Sequence, residues 1–240
     1  MSVKDHYDNL LADHYSWMLG GLDENVARYT EFFKTHLITP LGSGLAVDLG
    51  AGSGFQSIPL AQSGFNVTAI DFSEKLVEEL RRNSKEFAIA IKRGDLTRFT
   101  EELHDKVELI VCMGDTLTHL KSIEDVTRLF RDVHSVLETE GRFVLSFRDM
   151  SAELTGLDRF FPVRMDPDRL FTCFLEYDQD HVRVHDLIHA RTENTWELKK
   201  SVYIKLRLSK DWVEDRLSGV GFKIVYSDLL NGMVTLIIIK

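Results

Sequence analysis

The sequence predicts an α/β fold, a doubly wound and mostly parallel sheet of seven strands with an antiparallel β insert after strand five. Three observations predict it. From residue 44 to residue 148, apolar strand-like runs alternate with helical patterns. Between 171 and 208 that alternation stops, and strand patterns follow one another directly. A glycine loop, Gly50-Ala51-Gly52-Ser53-Gly54, joins the first strand to the next helix.

The elements follow in order. Residues 5–19 carry Tyr7, Leu10, Leu11, His14, Tyr15 and Met18 at helical spacing, a helix stopped by Gly20-Gly21. A second helix over 23–37 stripes Val26, Tyr29, Phe32 and Phe33. Pro40 and Gly42 lead into the first strand, 44–49. The helix over 55–63 tolerates Pro59 because it lies near the start. The second strand, 66–70, ends at Asp71, and Ser73 is placed to cap a helix running to 83. The third strand, 87–91, precedes Gly94-Asp95. The fourth, 107–112, is nearly all apolar, as a strand covered on both faces should be. Ser122-Ile123-Glu124-Asp125 reads as a capping box for a helix to 138, and Gly141 precedes the fifth strand, 142–147. The insert has strands over 171–177, 181–190 and 196–208, with turns at Asp178-Gln179-Asp180 and Thr192-Glu193-Asn194. Ser209-Lys210-Asp211 starts a last helix, and strands over 222–227 and 233–239 close around Asn231-Gly232, a hairpin signal.

Composition narrows the function. A chain of 240 residues with 44% apolar content fits one globular domain with an insertion. Net charge is -9, and no basic stripe is visible, so nucleic acid is not an expected partner. No apolar run reaches the roughly 20 residues of a membrane span. The charged first ten residues show no secretory signal, and a cytoplasmic location is expected. Cys112 and Cys173 lie in apolar strand patterns and read as buried free thiols. There is no Cys-x-x-Cys pair, and no metal is expected. The oligomeric state stays open.

The glycine loop is G-x-G-x-G, not the G-x-G-x-x-G of dinucleotide folds, since Phe55 stands where the third glycine would fall. Asp48 precedes it, and a carboxylate there would repel a pyrophosphate docked on the helix N-terminus. A nucleoside ligand without phosphate and with positive charge fits better, and S-adenosylmethionine is one. Ligands of such sheets bind beyond the carboxyl ends of the strands. Asp71 at the end of strand two can accept both ribose hydroxyls. Asp95, after strand three, can accept from the adenine amine. Met113-Gly114-Asp115 ends strand four and faces the glycine loop if those strands are neighbours.

These segments, Val47 to Gly54, Ala69-Ile70-Asp71-Phe72-Ser73, Gly94-Asp95-Leu96 and the strand-four end, resemble successive motifs of the class I S-adenosylmethionine-dependent methyltransferases. The match runs from about residue 44 to 148, and the closing strands are similar to that family's sheet, with its reversed seventh strand. Residues 110–120 are also similar to the strand-four segment of glycine N-methyltransferases, which carry an antiparallel insert after strand five. Where those enzymes have His-Arg-Asn, this chain has Phe147-Arg148-Asp149. Asp149 would repel a glycine carboxylate and attract an amine, which puts glycine itself in doubt.

The resemblance implies an N-terminal helical lid over 1–43, a Rossmann-like donor domain over 44–150 and 209–240, and an insert over 151–208 covering the substrate pocket. Donor contacts would be Asp48, Gly50, Gly52, Gly54, Asp71, Phe72, Asp95, Leu96, Met113 and Gly114. The expected reaction is in-line methyl transfer from S-adenosylmethionine, with S-adenosylhomocysteine as product, to a small molecule. An amine is favoured over a hydroxyl as the acceptor. Candidate proton acceptors are Asp149, Asp115, His119 and Tyr15, in that order.

Several readings stay open. Met113 and Gly114 are strand-end packing or ligand contacts. His119 is a helix-start residue or a substrate contact. Tyr7, Tyr15 and Trp17 form a core stripe or an aromatic lid. His181, Arg183, His185 and His189 alternate with Val182, Val184, Ile188 and Ala190, so they face solvent or roof the pocket. His185 and His189 are roughly 13 Å apart on a strand and do not share one metal ion unaided. A nicotinamide-dependent oxidoreductase and a non-catalytic partner protein of the same fold are the alternatives. Phe55 and Asp48 argue against the first, and the intact loop with Asp71 against the second.

Overall fold

The computed structural model describes residues 3–193 and 195–240. Asn194, part of the predicted insert turn, and Met1 and Ser2 lie outside the described residues. The strands form a sheet of seven and a second sheet of four.

The first sheet is built outward from β1 (Leu45–Leu49), which pairs in parallel with both β2 (Asn66–Asp71) and β4 (Val107–Cys112). β3 (Ile89–Arg93) adds beside β2, and β5 (Leu137–Arg148) beside β4. The chain therefore leaves β1 in two directions, and a crevice opens between the ends of β1 and β4. β11 (Met233–Ile239) runs antiparallel to β5, and β10 (Lys223–Leu230) antiparallel to β11. Their turn is Asn231 at φ 51° and Gly232 at φ 77°, a pair of left-handed residues whose twist suits a two-residue hairpin.

Every residue of β4 is buried. Ile110 and Cys112 pack with one layer, which includes α6 (Ile123–Val136) and α7 (Lys210–Val220) through Phe130 and Leu217. Leu109 and Val111 pack with the other, against α3 (Leu22–Thr35) and α4 (Ser57–Gln62) through Phe33 and Leu60. Alternation along one strand thus divides the core between two faces. Glu108 interrupts the apolar run, and its carboxylate accepts from the amides of Leu41, Gly42 and Gly44 at 2.6, 3.0 and 2.9 Å. It fixes the loop that delivers the chain into β1.

The helix predicted over 5–19 is instead three pieces: α1 (Val3–Asn9), a 3-10 turn (Leu11–His14) and α2 (Tyr15–Met18). Leu10 and Leu11 are both buried in the core of the second sheet, and that packing overrides the helical period. α5 (Glu74–Asn83) begins after Ser73 as expected, but the Ser73 side chain makes no cap bond. Asp71 Oδ1 accepts from the Ser73 amide instead, at 2.8 Å. The caps at Ser122 and Ser209 do form, on the amides of Asp125 and Trp212.

The insert holds four strands, not three. β7 (Arg169–Tyr177), β8 (His181–Arg191) and β9 (Trp196–Leu206) match the expected meander. β6 (Phe160–Met165) was not expected. It is largely exposed and carries Pro162, which reads as a breaker but is tolerated on an edge strand. α1 packs on β9, and Arg169 lies 4.2 Å above the Trp17 ring, so the N-terminal segment is held against the insert. Both cysteines are free and buried. No helix among the described residues is long and apolar enough to cross a membrane.

Candidate active site

A cavity of about 1230 Å³ opens at the crevice between β1 and β4. Gly50, Gly52, Asp71, Phe72, Asp95 and Leu96 line it, which brings together six of the ten expected donor contacts. Tyr15 and His119 line it as well, with Tyr7 and Thr116.

The loop is tightly bounded by its own neighbours. Gly50 and Gly52 have φ of 75° and 54°, where a side chain is strained. A Cβ on Gly50 would come within 2.4 Å of Thr116 Cγ2, and one on Gly52 within 3.1 Å of the Tyr15 hydroxyl. Asp71 Oδ2 accepts from the Gly52 amide at 2.9 Å, so one carboxylate ties the tip of β2 to the loop. Burial raises the Asp71 carboxyl to about 6, against the lowering effect of the Ser73 and Gly52 amides. At the other end of this wall, Asp95 caps a 3-10 turn by accepting from Thr97 N and Oγ1 at 2.9 and 2.8 Å.

Four expected donor contacts do not line the cavity. Gly54 packs under the loop, where a Cβ would sit 2.3 Å from Leu80 Cδ1. Met113 is buried in the core, and the Gly114 amide donates to Ser146 Oγ at 2.8 Å. Asp48 is 1% exposed and accepts from Ser57 Oγ at 2.6 Å. Burial raises its carboxyl to about 7, opposed by the Ser57 bond, with Asp71 adding repulsion. Asp48 thus braces the loop to α4 from below instead of facing a ligand.

Asp149 also stands elsewhere. Its Oδ1 accepts from Ser151 N and Oγ, and its Oδ2 from the Lys210 amide at 2.9 Å. Those bonds hold it below the usual carboxylate range against the effect of partial burial. It is a turn residue joining β5 to α7, in place of the foremost proton acceptor expected from sequence. The contrast with the asparagine of the glycine N-methyltransferases loses its force with it.

Of the remaining candidates, Tyr15 and His119 line the cavity, while Asp115 does not line it and stands at the start of the turn that ends in His119. Asp115 Oδ1 accepts from the Arg148 amide at 3.0 Å and from Thr118 Oγ1 at 2.9 Å. Its Oδ2 receives the ammonium of Lys205, a residue of β9 that is itself buried. Burial pushes the Asp115 carboxyl up, but Lys205 and His119 outweigh it and hold the group low. His119 Nε2 lies 3.4 Å from the Tyr7 hydroxyl, and the two rings meet edge-on at 5.7 Å. Burial, then Lys205, drive the His119 imidazole down to about 3, so it is neutral at ordinary pH. Burial raises Tyr7, Tyr15 and Tyr203, which stay protonated. Tyr15 stacks on Phe55 at 5.8 Å, which places its ring over the glycine loop.

Beside Tyr7 lies a buried polar cluster that sequence reading missed. His6 is fully buried, with Nδ1 2.8 Å from Ser201 Oγ and Nε2 3.1 Å from Asp186 Oδ2, and it stacks on Tyr203 at 4.1 Å. Cys173 Sγ donates to Asp186 Oδ1 at 2.9 Å. Asp186 has the parity of Val182, Val184 and Ile188 on β8, so an acid in the apolar register was the available signal. Lys205 shares the register of Tyr203 on β9 in the same way. Of the insert histidines, His181 reaches the cavity wall, while His185 bonds Glu176 at 2.6 Å.

Strand order, reversed last strand and cavity position together define the class I methyltransferase fold. Solved structures agree: an S-adenosylmethionine-dependent methyltransferase from Clostridium acetobutylicum superposes with a TM-score of 0.75 at 16% identity, covering 98% of this chain and 96% of that one. An amino pentose methyltransferase from Micromonospora echinaspora does so at 0.72 and 12% identity, covering 100% and 98%. Residues 46–141 match the family model of a methyltransferase domain. Residues 46–141 are thus matched as a methyltransferase domain, and the chain around them has the class I methyltransferase fold.

Among curated relatives, the glycine/sarcosine N-methyltransferase of Aphanothece halophytica is 28% identical over 151 residues, 60% of this chain and 56% of that protein. The ubiquinone biosynthesis O-methyltransferase of Pseudomonas aeruginosa is 30% identical over 132 residues, 50% of this chain and 55% of that protein. The chain spans about half the length of the curated relatives it matches.

Proposed function

We propose that this chain transfers a methyl group from S-adenosylmethionine to a small molecule, with an amine nitrogen as the favoured acceptor. The observation that carries the reading is Asp71, a carboxylate at the tip of β2 that lines the cavity while bonded to the glycine loop. That placement suits a ribose diol, and the backbone of Gly50 and Gly52 lines the same cavity, where it suits the methionine end of the donor. When bound, the donor supplies an electrophilic methyl and its own leaving group. The residues of the chain bind, orient and exclude water, and orientation alone contributes up to about 7–11 kcal/mol. In this reading, α1 and α2 serve as a lid, with Tyr7 and Tyr15 closing over the loop. The insert covers the acceptor. Nitrogen is favoured because N-methyltransferases recur among the relatives, although O-methyltransferases occur there too.

Calorimetry with S-adenosylhomocysteine tests the reading. We expect one site per chain with a Kd in about the 1–100 μM range typical of metabolite sites, and no heat with NAD. Binding of NAD in its place would favour the oxidoreductase. Binding of S-adenosylhomocysteine without turnover on a panel of amines and alcohols would favour a non-catalytic protein.

A further inference from the structure

Lys205 is the element of this site that neither motif nor fold accounts for. It sits on β9, 8% exposed, and its ammonium crosses from the insert to Asp115 at the end of β4. Asp115 is otherwise held by the Arg148 amide and Thr118 Oγ1, and it opens the 3-10 turn Thr116–His119. The last residue of that turn lines the cavity. Its Nδ1 is buried with no hydrogen-bond partner among the described residues, so one polar atom is left for a ligand.

We propose that Lys205 is a positioning residue: by clasping Asp115 it holds the Asp115–His119 turn against the cavity and engages the carboxylate beside His119, so a methyl acceptor reaching His119 is met there by uncharged hydrogen-bonding groups. The proposal rests on the methyltransferase reading for the word acceptor, and on the geometry for the rest. The groups facing His119 are Lys205 from β9, Asp115 on its own turn, His6 and Tyr7 from α1, and Tyr203 from β9. Lys205 lowers the imidazole more than Asp115 raises it, after the larger effect of burial. An ammonium reaching His119 would find Asp115 already paired and no negative charge on the ring. At the His119 wall the cavity therefore suits a nucleophile that arrives uncharged, a free-base amine whose lone pair takes the methyl and which leaves as the N-methylammonium with its proton. Deprotonation then precedes binding, and no residue here has to remove a proton from an ammonium.

The test reads His119 directly, by NMR of ring-labelled histidine between pH 5.5 and 8.5, with His119→Gln for assignment. In the wild type bound to S-adenosylhomocysteine, the His119 ring should show no titration in that window. Lys205→Met removes the cation and leaves Asp115 in place, so the His119 midpoint should rise the most. Lys205→Met with Asp115→Asn removes both charges and should give an intermediate midpoint. Lys205→Arg should restore the silent wild-type ring. A purely structural role would not produce this order. If Lys205→Met fails to fold, because a buried carboxylate has lost its partner, the charge-free double variant against wild type decides the matter. An ordinary His119 midpoint in the wild type, or the same midpoint with and without the Lys205 charge, overturns the proposal. Absence of S-adenosylhomocysteine binding by the wild type would instead strike the methyltransferase reading, and the titration could still be read on the free protein.

Discussion

Asp71→Ala is expected to weaken S-adenosylhomocysteine binding about 100-fold, as measured by calorimetry at pH 7.5. Two hydroxyls donating to one buried carboxylate are charge-assisted bonds, each worth about 1.5–3 kcal/mol. The loss of one such bond's upper value, or two at the lower, gives roughly that factor. Asp71 also holds the Gly52 amide, so the loop relaxes in the variant and adds to the loss. pH gives a second view of the same group. With the carboxyl raised to about 6, binding that needs the carboxylate should weaken as pH falls through that value. An affinity unchanged in the variant, and flat from pH 5 to 8, would remove Asp71 from the ribose.

Asp48→Asn should stabilise the free protein, and only above acidic pH. Burial raises the folded-state carboxyl to about 7, above its ordinary value of 3.8. The folded state therefore holds the proton more tightly than the unfolded chain does. Between these two values stability falls as pH rises, because folding must keep a charge the interior disfavours. Asparagine removes the charge and still accepts from Ser57 Oγ. The gain should be absent near pH 4, grow through pH 5–7 and level off near pH 8. A tenfold difference in proton affinity between the folded and unfolded states is worth about 1.4 kcal/mol. The amide nitrogen of asparagine cannot accept the second bond that a carboxylate oxygen does, which costs about 1–3 kcal/mol when buried and offsets part of the gain, so about 2 kcal/mol is expected. For a chain of this size that is a rise in Tm of about 4–8 °C. Thermal melts of both proteins at pH 4 and pH 8 check it, and a lower Tm for the variant at pH 8 would contradict the stated cause.

The middle of the sheet was legible in the sequence because β1, β4 and most of β11 are buried on both faces. Val107 to Cys112 fell within bounds that the structure reproduces, and so did Met233 to Ile239. Ser122 and Ser209 gave the starts of α6 and α7 for a local reason, a hydroxyl within reach of an amide three residues on. The N-terminal helix failed because Leu10 and Leu11 answer to the insert and not to their own helix. Edge strand β6 was hidden by exposure and Pro162, since a half-solvated edge has little pattern to read.

The site divides along the same line. Asp71, Gly50 and Gly52 act through local chain geometry, and position in the motif was enough to place them at the cavity. Asp149 and Asp48 carried the same chemical promise, but which way a carboxylate turns depends on neighbours distant in sequence, Lys210 and Ser57. Lys205 and His6 meet their partners across 90 and 180 positions of chain, and no local pattern announces such pairings.

His6 and Tyr7 are consecutive residues of α1, one sunk among Ser201, Asp186 and Tyr203, the other lining the cavity. A motion that lifts Tyr7 clear must also draw an imidazole out of the insert's interior. In the proposed lid role of α1, ligand exchange would carry the free-energy cost of a local unfolding event, and its rate would depend on how well the insert is packed and not on the affinity of the cavity alone. Substitutions that tighten the insert would slow the turnover of a site they never touch.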